Sequence, residues 1–494
     1  MEDITNYTIE ELKNKLSKKE ISATELTKAY LDNIKKNNPE LNAYISVTED
    51  KALQSATNSD KRINNGEARP LEGIPLGIKD NFCTKDIKTT CASHILDNFI
   101  PPYESTVTRN LWNNGAILLG KLNMDEFAMG SSNTTSFYGP TKNPIIAKDN
   151  NSPLVPGGSS GGSASAVCAN LCAAAIGSDT GGSIRQPASF TALTGIKPTY
   201  GRCSRLGLIA FASSLDQAAP ITKTVTDNAL MLNAMAGYDP NDSTSKKIDV
   251  EDFTKNLNKN IKGLKIGIPK EYQLEGIDTE ITKTWKNAAN ILKSLGAEVI
   301  DISLPHTEYA APTYYIISTA EASSNLSRYD GVRYGLRVTE EGDSLNDLYI
   351  RTRSEGFGDE VKRRIMVGTY VLSSGYYDAY YKKAQKLRRL ITEDFNSAFN
   401  KVDAILTPTT PNAAFAVNEK PTNLEMYHND IFTVSANLTG LPAISIPAGV
   451  NKKNLPLGIQ LISPLFSETL LYQIARNLEK ELEFSNLELN KLIS

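Results

Sequence analysis

Residues 155–189 read VPGGSSGGSASAVCANLCAAAIGSDTGGSIRQPAS. Two Gly-Gly-Ser steps, Gly157-Gly158-Ser159 and Gly181-Gly182-Ser183, bracket a segment of small residues, and their serines stand 24 positions apart. Glycine-rich loops of this kind serve either to cradle phosphate or to present a nucleophile. A phosphate loop requires GxxxxGK[ST], and no lysine follows these glycines; GxGxxG is absent as well. The nucleophile reading remains, and it needs a base, because a serine hydroxyl attacks poorly until its proton is taken.

Outward from this stretch the chain alternates helical and strand patterns. The segment Ser163–Ile176, nearly all Ser, Ala, Val, Cys, Leu and Asn, predicts a small-sided helix that packs closely on a sheet. Upstream, LEGIPLGIKDNF (71–82) alternates with Ile74, Leu76 and Ile78 on one side and Gly77 and Lys79 on the other, a strand pattern. LWNNGAILLGKLNMDEFAMGS (111–131) reads as a helix end, a glycine turn, a strand over Ala116–Leu119 and a loop. The first 65 residues read as helical, with a capping box of Ser22 and Glu25 ahead of Leu26, Tyr30 and Ile34. Downstream, GLKIGIPKEY (263–272) predicts a strand, and residues 282–305 a helix, a glycine stop and a strand. The alternation predicts an α/β fold with a covered sheet. Residues 237–260 are polar with no apolar period, and are expected to form an exposed excursion within one domain spanning 1–494.

Bulk properties exclude several classes of function. A net charge of −3 gives no basic field for autonomous nucleic-acid binding. The basic run KKAQKLRRL (382–390) therefore reads as a solvated helix face. No apolar run is long enough to cross a membrane, and MEDITNYTIEELKNKL lacks the features of a signal peptide, so a cytoplasmic location is expected. The five cysteines, with no CxxC pair, predict reduced thiols; Cys168 and Cys172 read as core residues, and no metal site is expected.

The base is the open question. The three histidines, His94, His306 and His428, lie in no triad-like context, and GxSxG is absent. Lys79, at the end of an apolar strand, is the candidate, since desolvation disfavours the ammonium form. Taken alone, a lysine in such a place is usually a paired or snorkelling side chain.

Taken together, GIPLGIKDN, PGGSSGGSA and GSDTGGSIRQPA resemble the signature of the amidase signature family, and the resemblance runs through nearly the whole chain. It implies a large mixed β-sheet core covered on both faces by α-helices. It also implies a Ser–cisSer–Lys triad, onto which Lys79, Ser159 and Ser183 map in order. Ser183 would be the nucleophile, and Ser159, preceded by a cis peptide, would relay its proton to Lys79. The amides of Thr180, Gly181, Gly182 and Ser183 would form the oxyanion hole. Asp179, Arg185 and Gln186 would scaffold this loop. The chain departs from the family at Ala219, where glycine is common.

Within the family, residues 121–133, 363–388 and 429–449 resemble the branch that hydrolyses glutamine and hands the ammonia to a partner. That resemblance implies a heterotrimer with amidotransferase subunits B and C. In it the partner uses ATP and Mg2+ to amidate Glu-tRNA(Gln), held mainly by the B partner; this chain would need no cofactor. Glutamine is a zwitterion, so a guanidinium suits its carboxylate and a carboxylate its ammonium. The resemblance assigns these roles to Arg363, with Arg364 adjacent, and to Asp430. Tyr314 and Ser131 are expected as further substrate contacts. The alternative is a stand-alone amidase of simple or aryl amides.

Overall fold

The computed structural model describes residues 3–148, 152–274, 277–419, 429–482, 489 and 491–493. Among the described residues eleven strands form one mixed sheet. In chain order they are β1 (Tyr44–Val47), β2 (Pro75–Lys79), β3 (Ile117–Leu122), β4 (Ala174–Asp179), β5 (Thr194–Lys197), β6 (Gln217–Thr222), β7 (Lys265–Pro269), β8 (Glu298–Ile302), β9 (Ala404–Pro408), β10 (Ala443–Val450) and β11 (Pro456–Ile462). Their spatial order is β1-β3-β2-β4-β6-β5-β10-β11-β9-β7-β8. The helices are α1 (Ile9–Ser17), α2 (Ala23–Leu41), α3 (Glu49–Asn64), α4 (Thr106–Asn113), α5 (Gly161–Cys168), α6 (Arg185–Phe190), α7 (Val225–Met235), α8 (Thr279–Ser294), α9 (Ala310–Asn325), α10 (Leu345–Gly356), α11 (Asp359–Leu372), α12 (Lys383–Phe399), α13 (Val434–Thr439) and α14 (Glu468–Leu482).

Local signals place much of this. Ser22 and Glu25 form the expected capping box at α2, satisfying end donors worth about 1 kcal/mol. Gly296, at φ +89°, separates α8 from β8 where a stop is expected. Other boundaries move. The small-sided helix is α5 alone; Asn170 adopts φ +55° and turns the chain into β4, so Cys172 lies beyond the helix. The strand expected at Ala116–Leu119 runs to Leu122, because Gly120 lets it lie directly against β1. Every residue of β2 is buried, not one face only, as both sides of the sheet are covered. Ala219 is a strand residue opposite Gly177. Residues 237–260 carry no helix or strand, yet Phe253 is fully buried. Asp239 also accepts hydroxyls from Thr106 (2.5 Å) and Ser204 (2.7 Å), so the segment is tacked down at intervals.

Two features of the fold position the functional residues. The first is parallel pairing of β2 with β4, registered Leu76 to Ala174 and Ile78 to Ile176. It brings Lys79 and the loop after Asp179 to the same end of neighbouring strands. α5 returns the chain from that end, so Ser159 and Ser160 at its start sit beside them. The second is the packing of α9 on α11. Any side chain at Gly368 would collide with the carbonyl of Thr319, so glycine there permits close approach of the two backbones. The basic run at 382–390 begins α12, where Arg388 ties Leu438 O (2.6 Å) and Ser214 Oγ (3.0 Å) rather than only facing solvent. Among the described residues no helix is long and apolar enough to cross a membrane.

Candidate active site

Lys79 is fully buried at the end of β2. Its Nζ lies 2.8 Å from Ser159 Oγ, 2.8 Å from Ser160 Oγ and 3.0 Å from Ser178 Oγ. Burial lowers its pKa from 10.5 to about 7, against the opposing pull of Asp125 and Asp179. A neutral amine fits these partners atom by atom. The Ser160 hydroxyl donates to Ser178 O (3.1 Å), so its oxygen is left to accept an N–H from Lys79. Ser178 Oγ already accepts from Asn81 Nδ2 (2.9 Å) and takes the second N–H. The lone pair of the amine then faces the hydroxyl of Ser159. Ser160, Ser178 and Asn81 were not singled out from sequence, where a hydroxyl on a loop carries no sign of what it will face.

The peptide bond from Gly158 to Ser159 is cis. Gly158 has no room for a side chain, which would meet Asp125 and the Ser132 amide. Its N–H donates to Gln186 Oε1 (2.9 Å), and Gln186 Nε2 donates to Ser131 O (2.9 Å). One side chain thus joins the two Gly-Gly-Ser loops to the Ser131 loop. Asp125, buried nearby, accepts the amides of Ser132 (3.3 Å), Asn133 (2.9 Å) and Thr135 (3.3 Å) and shapes that loop.

The Ser183 loop is held by a buried ion pair. Arg185 donates Nε and Nη2 to the two carboxylate oxygens of Asp179, both at 3.0 Å. Burial alone would raise this carboxylate, but Arg185 and the hydrogen bond from Asn437 outweigh it and bring Asp179 to about 2. Asp179 also accepts the Gly182 N–H (2.9 Å), so that amide points into the scaffold. The Thr180 hydroxyl donates to Asp216 (2.7 Å). Gly181 and Ser183 are the members of this loop that line the pocket. The oxyanion set read from sequence therefore narrows by the amide of Gly182, which Asp179 already occupies. A side chain at Gly181 would sit 2.5 Å from the Tyr314 hydroxyl.

The pocket is small and is walled by Ala128, Gly130, Ser131, Tyr314, Tyr315, Arg364 and Asp430 around Ser183. Ser131, Tyr314 and Asp430 thus line the same pocket as Ser183. Arg363 does not. Its side chain is 32% exposed and pairs with Glu360, whereas that of Arg364 is 5% exposed and reaches the pocket. Successive helical residues point about 100° apart, so only one of the two can face inward. Glu360 Oε1 holds Arg364 Nε at 2.6 Å, and the guanidinium lies over the rings of Phe211 and Tyr315. Tyr315, unforeseen from sequence, donates its hydroxyl to Asp430 (2.9 Å). Burial lifts Asp430 to about 7, with Tyr315 and Arg364 pulling it down. A cation entering the pocket would favour its ionised form.

The two described histidines take no part in this arrangement: His94 stacks on Phe137, and His306 pairs with Asp394 (2.9 Å). His428 lies outside the described residues. Among the described residues no group of three or more His, Cys, Asp or Glu is placed to hold a metal ion.

A buried lysine bonded to a serine on a cis peptide thus lies next to a glycine loop whose Ser183 lines the pocket and whose Ser183 carbonyl accepts the Ser160 N–H (3.3 Å). The chain matches the family described as Amidase over residues 25–472. The chain belongs to the amidase family. It is 60% identical to the A subunit of the glutamyl-tRNA(Gln) amidotransferase of Sinorhizobium medicae, over 97% of this chain and 98% of the relative. It is 58% identical to the protein of that name from Bartonella quintana, over 97% of each. Among solved structures, the A subunit of the glutamyl-tRNA(Gln) amidotransferase from Thermotoga maritima superposes with a TM-score of 0.79 at 42% identity, over 97% of this chain and 96% of that one. The peptide amidase of Stenotrophomonas maltophilia superposes with a TM-score of 0.80 at 30% identity, over 96% of each. The mixed sheet flanked by helices is that of the amidase signature enzymes.

Proposed function

We propose that this chain is the A subunit of a glutamyl-tRNA(Gln) amidotransferase, a single domain that hydrolyses glutamine and releases ammonia to a partner. The observation that carries the substrate is the placement of both Arg364 and Asp430 on the walls of the Ser183 pocket. A guanidinium and a carboxylate within one small cavity answer the two charges of an α-amino acid, and a peptide or aryl amide needs neither. Arg364 replaces Arg363 as the proposed carboxylate ligand; Tyr314 and Ser131 complete the walls.

In the proposed reaction Lys79, neutral above about pH 7, accepts the proton of Ser159. Ser159 takes that of Ser183, whose oxygen attacks the side-chain amide carbon of glutamine. The amide of Gly181 and that of Ser183 receive the oxyanion. The proton returns through Ser159 to the leaving nitrogen, which departs as ammonia, and water then releases glutamate from the acyl-enzyme. By likeness to the relatives, the chain works in the cytoplasm in a heterotrimer with subunits B and C. There ATP and Mg2+ are used by the partner, and Glu-tRNA(Gln) is held mainly by the B partner.

The test supplies the purified heterotrimer with amide-labelled glutamine, ATP, Mg2+ and Glu-tRNA(Gln). Label is expected in Gln-tRNA(Gln), and none with Ser183→Ala. Failure to release ammonia from glutamine, with ready hydrolysis of simple or aryl amides, would establish the stand-alone amidase instead.

A further inference from the structure

Glu126 is 3% exposed and has no part in the proposed reaction. A buried carboxylate is costly unless its oxygens are satisfied. Here they are satisfied by the start of the helix that carries Arg364. Both oxygens accept the N–H of Gly358, at 3.2 and 2.9 Å, and the Ser93 hydroxyl donates to the same group. Gly358 is the N-cap of α11 and brings no capping side chain of its own. A β-carbon there would overlap Glu126 Oε2, so the carboxylate occupies the space a side chain would take. Ser93 also reaches Gly356 O (3.3 Å), closing the joint on the far side of the α10–α11 turn.

The other end of the joint is the pocket wall. Glu126 begins the turn Glu126–Ala128, whose residues Phe127 and Ala128 take φ +50° and +61°. Ala128 lines the pocket beside Ser131. The turn is anchored by Phe127 N–H to Cys91 O (3.0 Å) and by Glu126 N–H to Thr135 Oγ1 (3.2 Å). α11 is thus held at two points: Gly368 against α9, and Gly358 against Glu126. Arg364 lies between them. Burial lifts Glu126 to about 7, with Ser93 and the Gly358 amide pulling it down, and its ionised form complements the dipole of the helix N-terminus.

We propose that Glu126 is a positioning residue that sets affinity for the α-carboxylate of the substrate by fixing where α11 begins and so where Arg364 points. The proposal rests on the glutaminase reading above. It is tested in the assembled heterotrimer with Glu126→Gln, which keeps shape and one acceptor, and Glu126→Ala, which keeps neither. Glutamine kinetics are measured beside amidation driven by added ammonium chloride, which bypasses this pocket.

Glu126→Gln is expected to raise KM for glutamine about fivefold with kcat within about twofold, and Glu126→Ala to raise it further. Ammonium-driven amidation stays at the wild-type rate in both. An unchanged KM in both variants overturns the proposal. So does an equal fall in kcat and ammonium-driven amidation, which would make Glu126 a support of the fold alone. Should Glu126→Ala fail to fold, Glu126→Gln decides. A wild-type complex that uses ammonium but not glutamine defeats the glutaminase reading, and this proposal with it.

Discussion

Lys79→Met keeps the length of the side chain and removes the amine, and two measurements on it test the proposed base. Burial displaces the pKa of Lys79 from 10.5 to about 7, on the order of 5 kcal/mol between the ammonium and amine forms. The kinetic consequence is direct. At pH 8 about nine-tenths of a group with that pKa is neutral, against about 0.3% of an ordinary lysine. At saturating glutamine kcat should therefore be level above pH 7 and fall about tenfold per unit below it. Reading kcat rather than kcat/KM separates this limb from the titration of free Asp430. The consequence for stability has the same slope as that of a salt-bridged carboxylate, displaced to higher pH. The folded pKa is the lower one, so between about 7 and 10.5 the unfolded chain binds the extra proton. Stability then rises with pH relative to Lys79→Met, by up to about 1.4 kcal/mol per unit. The assays are glutamine hydrolysis by the heterotrimer from about pH 5.5 to 9 and urea unfolding of the isolated chains at several pH values. Residual turnover in Lys79→Met that keeps the acid limb, or a stability difference that does not change between pH 7 and 9, would refute the assignment of Lys79 as a neutral buried base.

Arg364→Ala should raise KM for glutamine about a hundredfold, the loss of a charge-assisted contact of roughly 3 kcal/mol. Arg363→Ala, whose side chain pairs with Glu360 outside the pocket, should change it less than about twofold; steady-state kinetics that reverse this order would restore Arg363 as the ligand. Arg185→Leu leaves the Asp179 carboxylate buried and unpaired and should cost about 3–5 kcal/mol in urea unfolding. Because Asp179 is held at about 2, its contribution is present above about pH 4 and lost only as pH falls through 2, so this cost should be undiminished down to about pH 4. Gly181→Ala should drive a methyl group against the Tyr314 hydroxyl and lower kcat/KM at least tenfold while the melting temperature moves by only a few degrees; unchanged kinetics would free this loop from the pocket.

Much of this was legible along the chain. The capping box at Ser22, the strand ending in Lys79 and the glycine stop at 296 are local patterns, set by bonding and burial within a few residues. The two Gly-Gly-Ser loops are legible for the same reason: glycine marks places where backbone must pass where no side chain fits, as at Gly158 and Gly181. What these patterns lack is a partner. The hydroxyls of Ser160 and Ser178 and the amide of Asn81 become ligands of Lys79 only through the register of β2 on β4, which pairs residues about a hundred positions apart.

By itself, then, the sequence determined the alternating α/β plan and the order Lys79, Ser159, Ser183. Tertiary structure decided which polar groups face the pocket. Arg363 and Arg364 are the same residue type in adjacent positions; the phase of α11, set where Gly368 meets α9 and Gly358 meets Glu126, turns one outward and the other toward Ser183. The amide of Gly182 likewise went to Asp179 rather than to the substrate. Backbone geometry repeats within a turn or a strand, but the direction a side chain or an amide faces is settled by burial against residues far away in the chain.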